Sequence, residues 1–175
     1  MIIRQANMQD IDAVEGLYDA IHTAEENGKQ TIGWIRGVYP VRATAEAALR
    51  RNDLFVLEDA GAICGAGIIN KTQVDVYRQG DWKYEVPDNQ VCVLHTLVIS
   101  PDRAGRGYGR AFIAYYEQFA AEHGCTELRI DTNAKNIAAR SMYTKHGYTE
   151  IGIVPTVFNG IPDVQLVLLE KHIHL

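Results

Sequence analysis

The sequence has few cysteines, no excess of positive charge and no long apolar run, and each shortage closes off a class of protein. Cys64, Cys92 and Cys125 stand far apart with no C-x-x-C pair. That spacing argues against a disulfide framework and against a cysteine zinc cage, and it suits three small core side chains in a reducing compartment. Lysine and arginine number 17 against 22 aspartates and glutamates, a formal charge of −5. The sign is wrong for generic binding to nucleic acid or to an anionic membrane. No apolar run approaches the roughly 18 to 20 residues that a membrane span needs. The chain starts Met-Ile-Ile-Arg-Gln-Ala and goes straight into a helical pattern, without the basic, apolar and small-residue segments of a secretory leader. The expectation is a cytoplasmic protein with no nucleic-acid or membrane partner.

What is present suffices for one core. With 175 residues, 47% apolar and 22% charged, residues 1–175 read as a single domain. Residues 2–6 form a β-type run, and Met8 to about Glu26 place Ile11, Val14, Leu17, Tyr18 and Ile21 at helical intervals. Thr31 to Pro40 is turn-rich, with Trp34 and Tyr39 in a loop, and residues 41–52 read as a second helix. Leu54–Glu58 and Ala62–Asn70 make a hairpin around Asp59-Ala60-Gly61. Residues 71–90 are polar and irregular. Val91 to Ser100 is the most strand-like run and suits a strand buried on both faces. A helix to about His123, a strand Glu127–Thr132, a helix Asn136–His146 and strands near 148–154 and 163–170 complete a mixed α/β pattern without repeats or linkers.

Between the best strand and the helix that follows lies Pro101-Asp102-Arg103-Ala104-Gly105-Arg106-Gly107-Tyr108-Gly109-Arg110. Alternate glycines let a backbone turn tightly and approach an anion, and a following helix offers unpaired N–H groups and the positive end of its dipole. The expected guest is a phosphate or pyrophosphate. No Gly-Lys-Ser/Thr closes the loop, so it is not a Walker loop, and the dinucleotide-fold spacing is absent too. Taken alone, it reads equally well as a glycine-rich turn at a strand-to-helix junction. Downstream, Asn136, Ala139 or Arg140, and Tyr143 share one helical face, with Gly147 at a C-cap position and Tyr148 opening the next strand.

Leu97-Val98-Ile99-Ser100-Pro101, then Arg106-Gly107-Tyr108-Gly109, then Asn136 to Tyr148 follow in an order and spacing that resemble the GNAT acyl-CoA-dependent N-acetyltransferases. The paired motifs cover roughly residues 91–150, about a third of the chain. The resemblance implies a central, mixed but mostly antiparallel twisted sheet of six to seven strands, about four helices, and a splayed strand pair holding coenzyme A. It implies that the backbone of Leu97, Val98 and Ile99 pairs with the pantetheine arm, and that Gly105 to Gly109 cradle the pyrophosphate of acetyl-CoA. It implies that Asn136 binds the arm or coenzyme beside Ala139, and that Tyr143 lies near the sulfur. The family pattern usually has Arg or Gln where this chain has Ala104, so the resemblance leaves that side-chain contribution to Arg103, Arg106 or Arg110. Family members are often dimers, so a homodimer is possible.

Transfer of acetyl from a thioester to an amine needs a neutral nucleophile, a stabilised oxyanion in the tetrahedral intermediate, and a proton for the departing thiolate. His95, with a reference pKa of about 6.5, is the candidate base, directly or through water; the other reading is a buried histidine bonded to backbone. Strand alternation predicts that His95 shares a face with Leu97 and Ile99 and opposes Leu94, Thr96 and Val98. Tyr143, whose phenol matches an alkyl thiol in pKa at about 10, is the candidate acid, against a core aromatic bonded to backbone. Trp34, Tyr39, Tyr77, Trp82 and the last hairpin around Val157 to Asp163 are the candidate contacts for the acceptor. Asp75, Glu85 and Asp163 could attract an ammonium group, while Asp131-Thr132 read as a cap for the following turn. His172 and His174 resemble a metal pair but lack a third ligand nearby, so no metal is expected. The expected function is acetyl transfer from acetyl-CoA to a primary amine, on a small molecule or a peptide, with the small molecule favoured. The alternatives are a non-catalytic acyl-CoA-binding or sensing module and an N-acyltransferase for a different acyl-CoA.

Overall fold

The structure, a computed structural model, describes residues 1–174. Its elements are β1 (Ile2–Gln5), α1 (Ile11–Glu26), α2 (Arg42–Arg50), β2 (Leu54–Asp59), β3 (Ala62–Asn70), β4 (Val91–Ile99), α3 (Tyr108–Glu122), β5 (Glu127–Asn133), α4 (Ile137–Lys145), β6 (Thr149–Phe158) and β7 (Ile161–His172). The strands form one seven-stranded sheet in the order β1-β2-β3-β4-β5-β7-β6. Neighbours are antiparallel except β4 and β5, which are parallel and joined through α3.

Helices cover both faces because each carries one apolar stripe. The α1 residues at helical spacing, with Ala45 and Ala48 of α2, pack on Leu54, Val56, Ala66, Ile68 and Val98. Phe112, Ile113 and Tyr116 of α3, with Tyr143 of α4, pack on Phe55, Leu57, Leu94 and Ile130 on the opposite face. A third cluster forms where residues 71–90 lie across the α1 side of β4, β5 and β7, with Val76 and Tyr77 against Val91, Val93 and Leu168. That segment is less irregular than its composition predicts, containing short 3-10 turns at Asp75–Gln79 and Asp88–Gln90.

Two irregularities of β4 shape the centre of the sheet. Its parallel pairing with β5 runs from Val91↔Glu127 to Leu94↔Ile130 and then stops, although both strands continue. Beyond that rung the strands diverge. Thr96 also adopts φ +52°, and β4 spends three steps from His95 to Val98 where β3 spends two from Ile68 to Ala66. This bulge inverts the alternation. His95 opposes Ile68 and faces the α1 side with Val98, whereas Leu97 and Ile99 pack on the α3 side. The expected sharing of a face by His95, Leu97 and Ile99 is therefore corrected, because the extra residue falls between them.

Candidate active site

A cleft of about 780 Å³ opens where β4 and β5 part. His95 to Ile99 of β4 and Asp131 to Asn133 of β5 form its sides, with Asn136, Ala139, Met142 and Tyr143 of α4 beyond. Past Leu94 the β4 backbone is paired with β3 on one edge and, among the described residues, with no strand on the β5 edge. An extended, amide-bearing molecule could add itself there as a strand.

The glycine loop meets the same cleft through Ala104, Gly105 and Gly109. Gly105 and Gly107 have φ of +79° and +81°, a region where a side chain is strained. Gly109 has a packing reason instead, since a Cβ there would stand 2.7 Å from Met142 Sδ. Among the described residues, no backbone acceptor meets the N–H groups of Gly105 to Arg110. With the start of α3 behind them they form a ready anion site. Gly107 caps that helix and, with Arg103, Arg106, Tyr108 and Arg110, does not line the cleft. The Tyr108 hydroxyl donates instead to Asp59 Oδ2 at 2.6 Å, and Arg106 and Arg110 are exposed.

His95 Nε2 lies 3.1 Å from Asn70 Oδ1 and 3.1 Å from the Thr72 carbonyl. Asn70 Oδ1 already accepts from the Thr72 N–H, and Asn70 Nδ2 donates to Asp53, so both neighbours of the ring nitrogen are acceptors. The network therefore assigns the proton to Nε2 and leaves Nδ1 as the ring's acceptor. Burial pushes the His95 pKa down to about 4, so the ring is neutral at physiological pH.

On the opposite side of the splay, Asp131 follows the last paired rung of β5 and lines the cleft. Its Oδ2 accepts from the Tyr77 hydroxyl at 2.8 Å, while burial pushes its pKa up to about 6. Tyr143 is 5% exposed and lines the cleft with no hydrogen-bond partner among the described residues; burial, then Asp131, pushes its phenol upward. Tyr39 lines the cleft and shares a hydroxyl hydrogen bond with Thr96, and Trp34 meets Tyr39 edge-on at 5.9 Å. Asn136 caps α4, its Oδ1 accepting from the Ala139 N–H at 3.1 Å, which leaves its amide NH₂ for the cleft.

A model of the acetyltransferase (GNAT) family matches residues 23–148. The chain belongs to the GNAT acetyltransferase family. Among solved structures, a GNAT-family acetyltransferase from Streptococcus agalactiae superposes with a TM-score of 0.80 at 21% identity, covering 99% of this chain and 96% of that one. A GNAT-family acetyltransferase from Listeria monocytogenes gives 0.74 at 21% identity over 98% and 94%. A ribosomal-protein-alanine N-acetyltransferase from Brucella melitensis gives 0.73 at 18% identity over 99% and 100%. At such identities these likenesses concern the fold. No curated protein matches this chain in sequence.

Most of the remaining candidates fall outside the cleft of this GNAT chain. Tyr77, expected to touch the acceptor, is buried beneath the cleft and reaches it only through Asp131. Trp82, also expected there, donates to the Tyr77 carbonyl and lies under the Arg129 guanidinium, whose Cζ stands 3.9 Å from the Trp82 ring centroid. Both are corrected from contact residues to supports, because they are among the few apolar side chains anchoring residues 71–90 to the sheet. Asp75, Glu85 and Asp163 are exposed and do not line the cleft, whereas Phe158 and Ile161 of the last hairpin do. His172 stacks on Tyr84 at 4.5 Å, and among the described residues no group of three His, Cys, Asp or Glu side chains could hold a metal ion. Asp131 is the site residue that the sequence reading passed over. The signal was the run Glu127, Arg129, Asp131, charged at every second position of a central strand whose alternate residues are core.

Proposed function

We propose that the protein transfers an acetyl group from acetyl-CoA to the primary amine of a small molecule. One observation carries the reading: the unpaired β4 edge, the unbonded N–H groups of the glycine loop, and the side chains of His95 and Tyr143 meet in a single cleft. Backbone groups of Leu97, Val98 and Ile99 would hold the pantetheine arm, and the N–H groups of Gly105 to Gly109 the pyrophosphate. Ala104 contributes backbone only, and Arg103, Arg106 and Arg110 add positive charge from the loop. The Asn136 amide would donate to the arm as it passes Ala139. When bound, acetyl-CoA supplies a thioester carbonyl to be attacked.

The residues then move protons. His95 Nδ1 accepts a proton from the attacking amine, directly or through a water, while Nε2 stays pinned by Asn70 and Thr72. Tyr143 donates to the departing sulfur; burial and Asp131 raise its phenol above the expected match with a thiol, so the proton moves together with C–S cleavage and not after it. Overall an ammonium and a thioester give an amide, a free thiol and one proton released to solvent. Calorimetric titration with acetyl-CoA, followed by a free-thiol assay over a mixed amine panel, tests the reading. Binding with amine-dependent thiol release is expected. Binding without release under every amine supports a sensing module instead, and no binding ends the acetyl-CoA reading.

A further inference from the structure

Charged side chains line this cleft at two places among the described residues, Asp131 and Arg51. Arg51 is already engaged, its Nε donating to Asp53 Oδ2 at 2.7 Å. Asp131 is different. Tyr77 fixes one oxygen, Oδ2, and no protein donor among the described residues meets the other. The wall on the α1 and β7 sides combines apolar Ile32, Trp34, Phe158, Ile161 and Leu166 with uncharged polar Gln30, Thr44 and Asn159.

The same end of the cleft is roofed. Gly33 lies so close to the end of β5 that a Cβ would overlap the Asn133 amide, and a Cβ on Gly160, at the β6–β7 turn, would stand 3.4 Å from Val38 Cγ1. The loop between α1 and α2 thus reaches both the end of β5 and the tip of the last hairpin. It is tied down on its other side, where Arg36 pairs with Asp19 at 2.6 Å and Glu26 at 2.8 Å, and the Gly33 N–H donates to Glu25 at 2.8 Å.

We infer that Asp131, held by Tyr77, anchors the ammonium group of the acceptor, and that the acceptor is a compact monoamine on an apolar body. A single carboxylate satisfies a single ammonium, which gives one proton to solvent before the neutral amine attacks the thioester. A polyamine would bring further ammonium groups to a wall with no second carboxylate among the described residues, and an amino acid would bring a carboxylate to a wall whose one guanidinium is already paired. A protein segment would have to displace the roof formed by residues 33–38 and the hairpin tip. The inference rests on the acetyl-transfer reading.

The test uses the full-length protein with benzylamine, aniline, spermidine, alanine and a short peptide with a free N-terminus as acceptors, with acetyl-CoA binding measured beside turnover. At neutral pH benzylamine is an ammonium and aniline is not, so the pair separates charge from shape. Benzylamine is expected to exceed spermidine, alanine and the peptide by about tenfold or more in kcat/KM. Asp131→Asn should raise the benzylamine KM by roughly tenfold to a hundredfold, the range expected for losing a charge-assisted bond, and leave the acetyl-CoA affinity unchanged. The same variant should lower aniline kcat/KM by a much smaller factor than it lowers that of benzylamine. Tyr77→Phe, which keeps the carboxylate, should raise the benzylamine KM by a smaller factor. Failure of acetyl-CoA to bind would overturn the underlying reading and the anchor with it. Binding together with preference for spermidine, alanine or peptide, equal losses for benzylamine and aniline in Asp131→Asn, or no turnover of benzylamine would overturn the anchor alone.

Discussion

The Tyr77 hydroxyl donates to Asp131 Oδ2 at 2.8 Å across 54 residues of chain. A few residues earlier the same segment supplies Asn70 and the Thr72 carbonyl to His95 Nε2. Residues 70–77 therefore fix the two titratable side chains that stand just past the last β4–β5 rung, His95 and Asp131, each on its own strand. Packing of Val76 and Tyr77 against Val91, Val93 and Leu168 sets the height of that segment above the sheet. The position of the cleft groups is thus a consequence of core packing.

The acidic limb of kcat/KM for the amine should follow Asp131. An anchor for an ammonium group must be ionised, so activity falls as pH drops through about 6, the value to which burial raises this carboxyl. Tyr77, Tyr39 and Tyr143 face it and stay neutral there, all being shifted upward, and His95 titrates lower, at about 4. A pH profile of Asp131→Asn should lose the limb near 6. A limb that stays in place in this variant assigns it to another group.

Tyr143→Phe should lower kcat by about a hundredfold, the lower end of the effect of a general acid, with acetyl-CoA affinity unaltered. Steady-state kinetics beside calorimetry separate the two quantities. Unchanged kcat would remove the phenol from proton transfer and leave it as a core aromatic packed edge-on with Tyr148 at 6.0 Å.

Gly107→Val places a β-branched residue at φ +81°, at a backbone cost of about 1–3 kcal/mol. The variant relieves that strain by reshaping the loop, so acetyl-CoA affinity should fall by at least an order of magnitude. The melting temperature should drop by only a few degrees, at roughly 2–4 °C per kcal/mol for a chain of this size. Normal affinity would separate the loop from the coenzyme.

Glu127 should make the protein less stable as pH rises. It is fully buried on β5, with His172 Nδ1 3.4 Å from Oε2 and no hydrogen bond to either carboxylate oxygen among the described residues, and burial, then the neighbouring Glu170, pushes its pKa up to about 8. Between the ordinary glutamate value and about 8 the folded chain holds a proton that the unfolded chain has lost, so unfolding free energy declines with pH across that window and levels off above it. Thermal melts of Glu127→Gln from pH 5 to 8 should lack this slope. An identical slope in the variant would place the linkage elsewhere.

The strand and helix pattern was legible because each element buries one face at its own period, as α1 does with Ile11, Val14, Leu17, Tyr18 and Ile21. The glycine loop and α4 were legible through spacing. The bulge was not, since Thr96 carries no local signal for a left-handed backbone and owes it to the β3 register and the hydroxyl contact with Tyr39. Misassignment of Tyr77 and Trp82 has the same origin. Isolated aromatics in an aperiodic stretch look like surface contacts until the sheet beneath them is known. Asp131 was read as a turn cap because its partner Tyr77 lies far away in sequence, although the alternation of Glu127, Arg129 and Asp131 with core residues marked their common face.

The central claim is that acetyl transfer occurs in the β4–β5 cleft. The most direct measurement incubates the wild type with acetyl-CoA and benzylamine and follows free thiol and N-acetylbenzylamine together, by thiol titration and mass spectrometry. Equal amounts of the two products, both sharply reduced by Gly107→Val at subsaturating acetyl-CoA and by Tyr143→Phe, are the predicted result. Thiol release without the acetylated amine, or product formation untouched by both substitutions, would contradict the account.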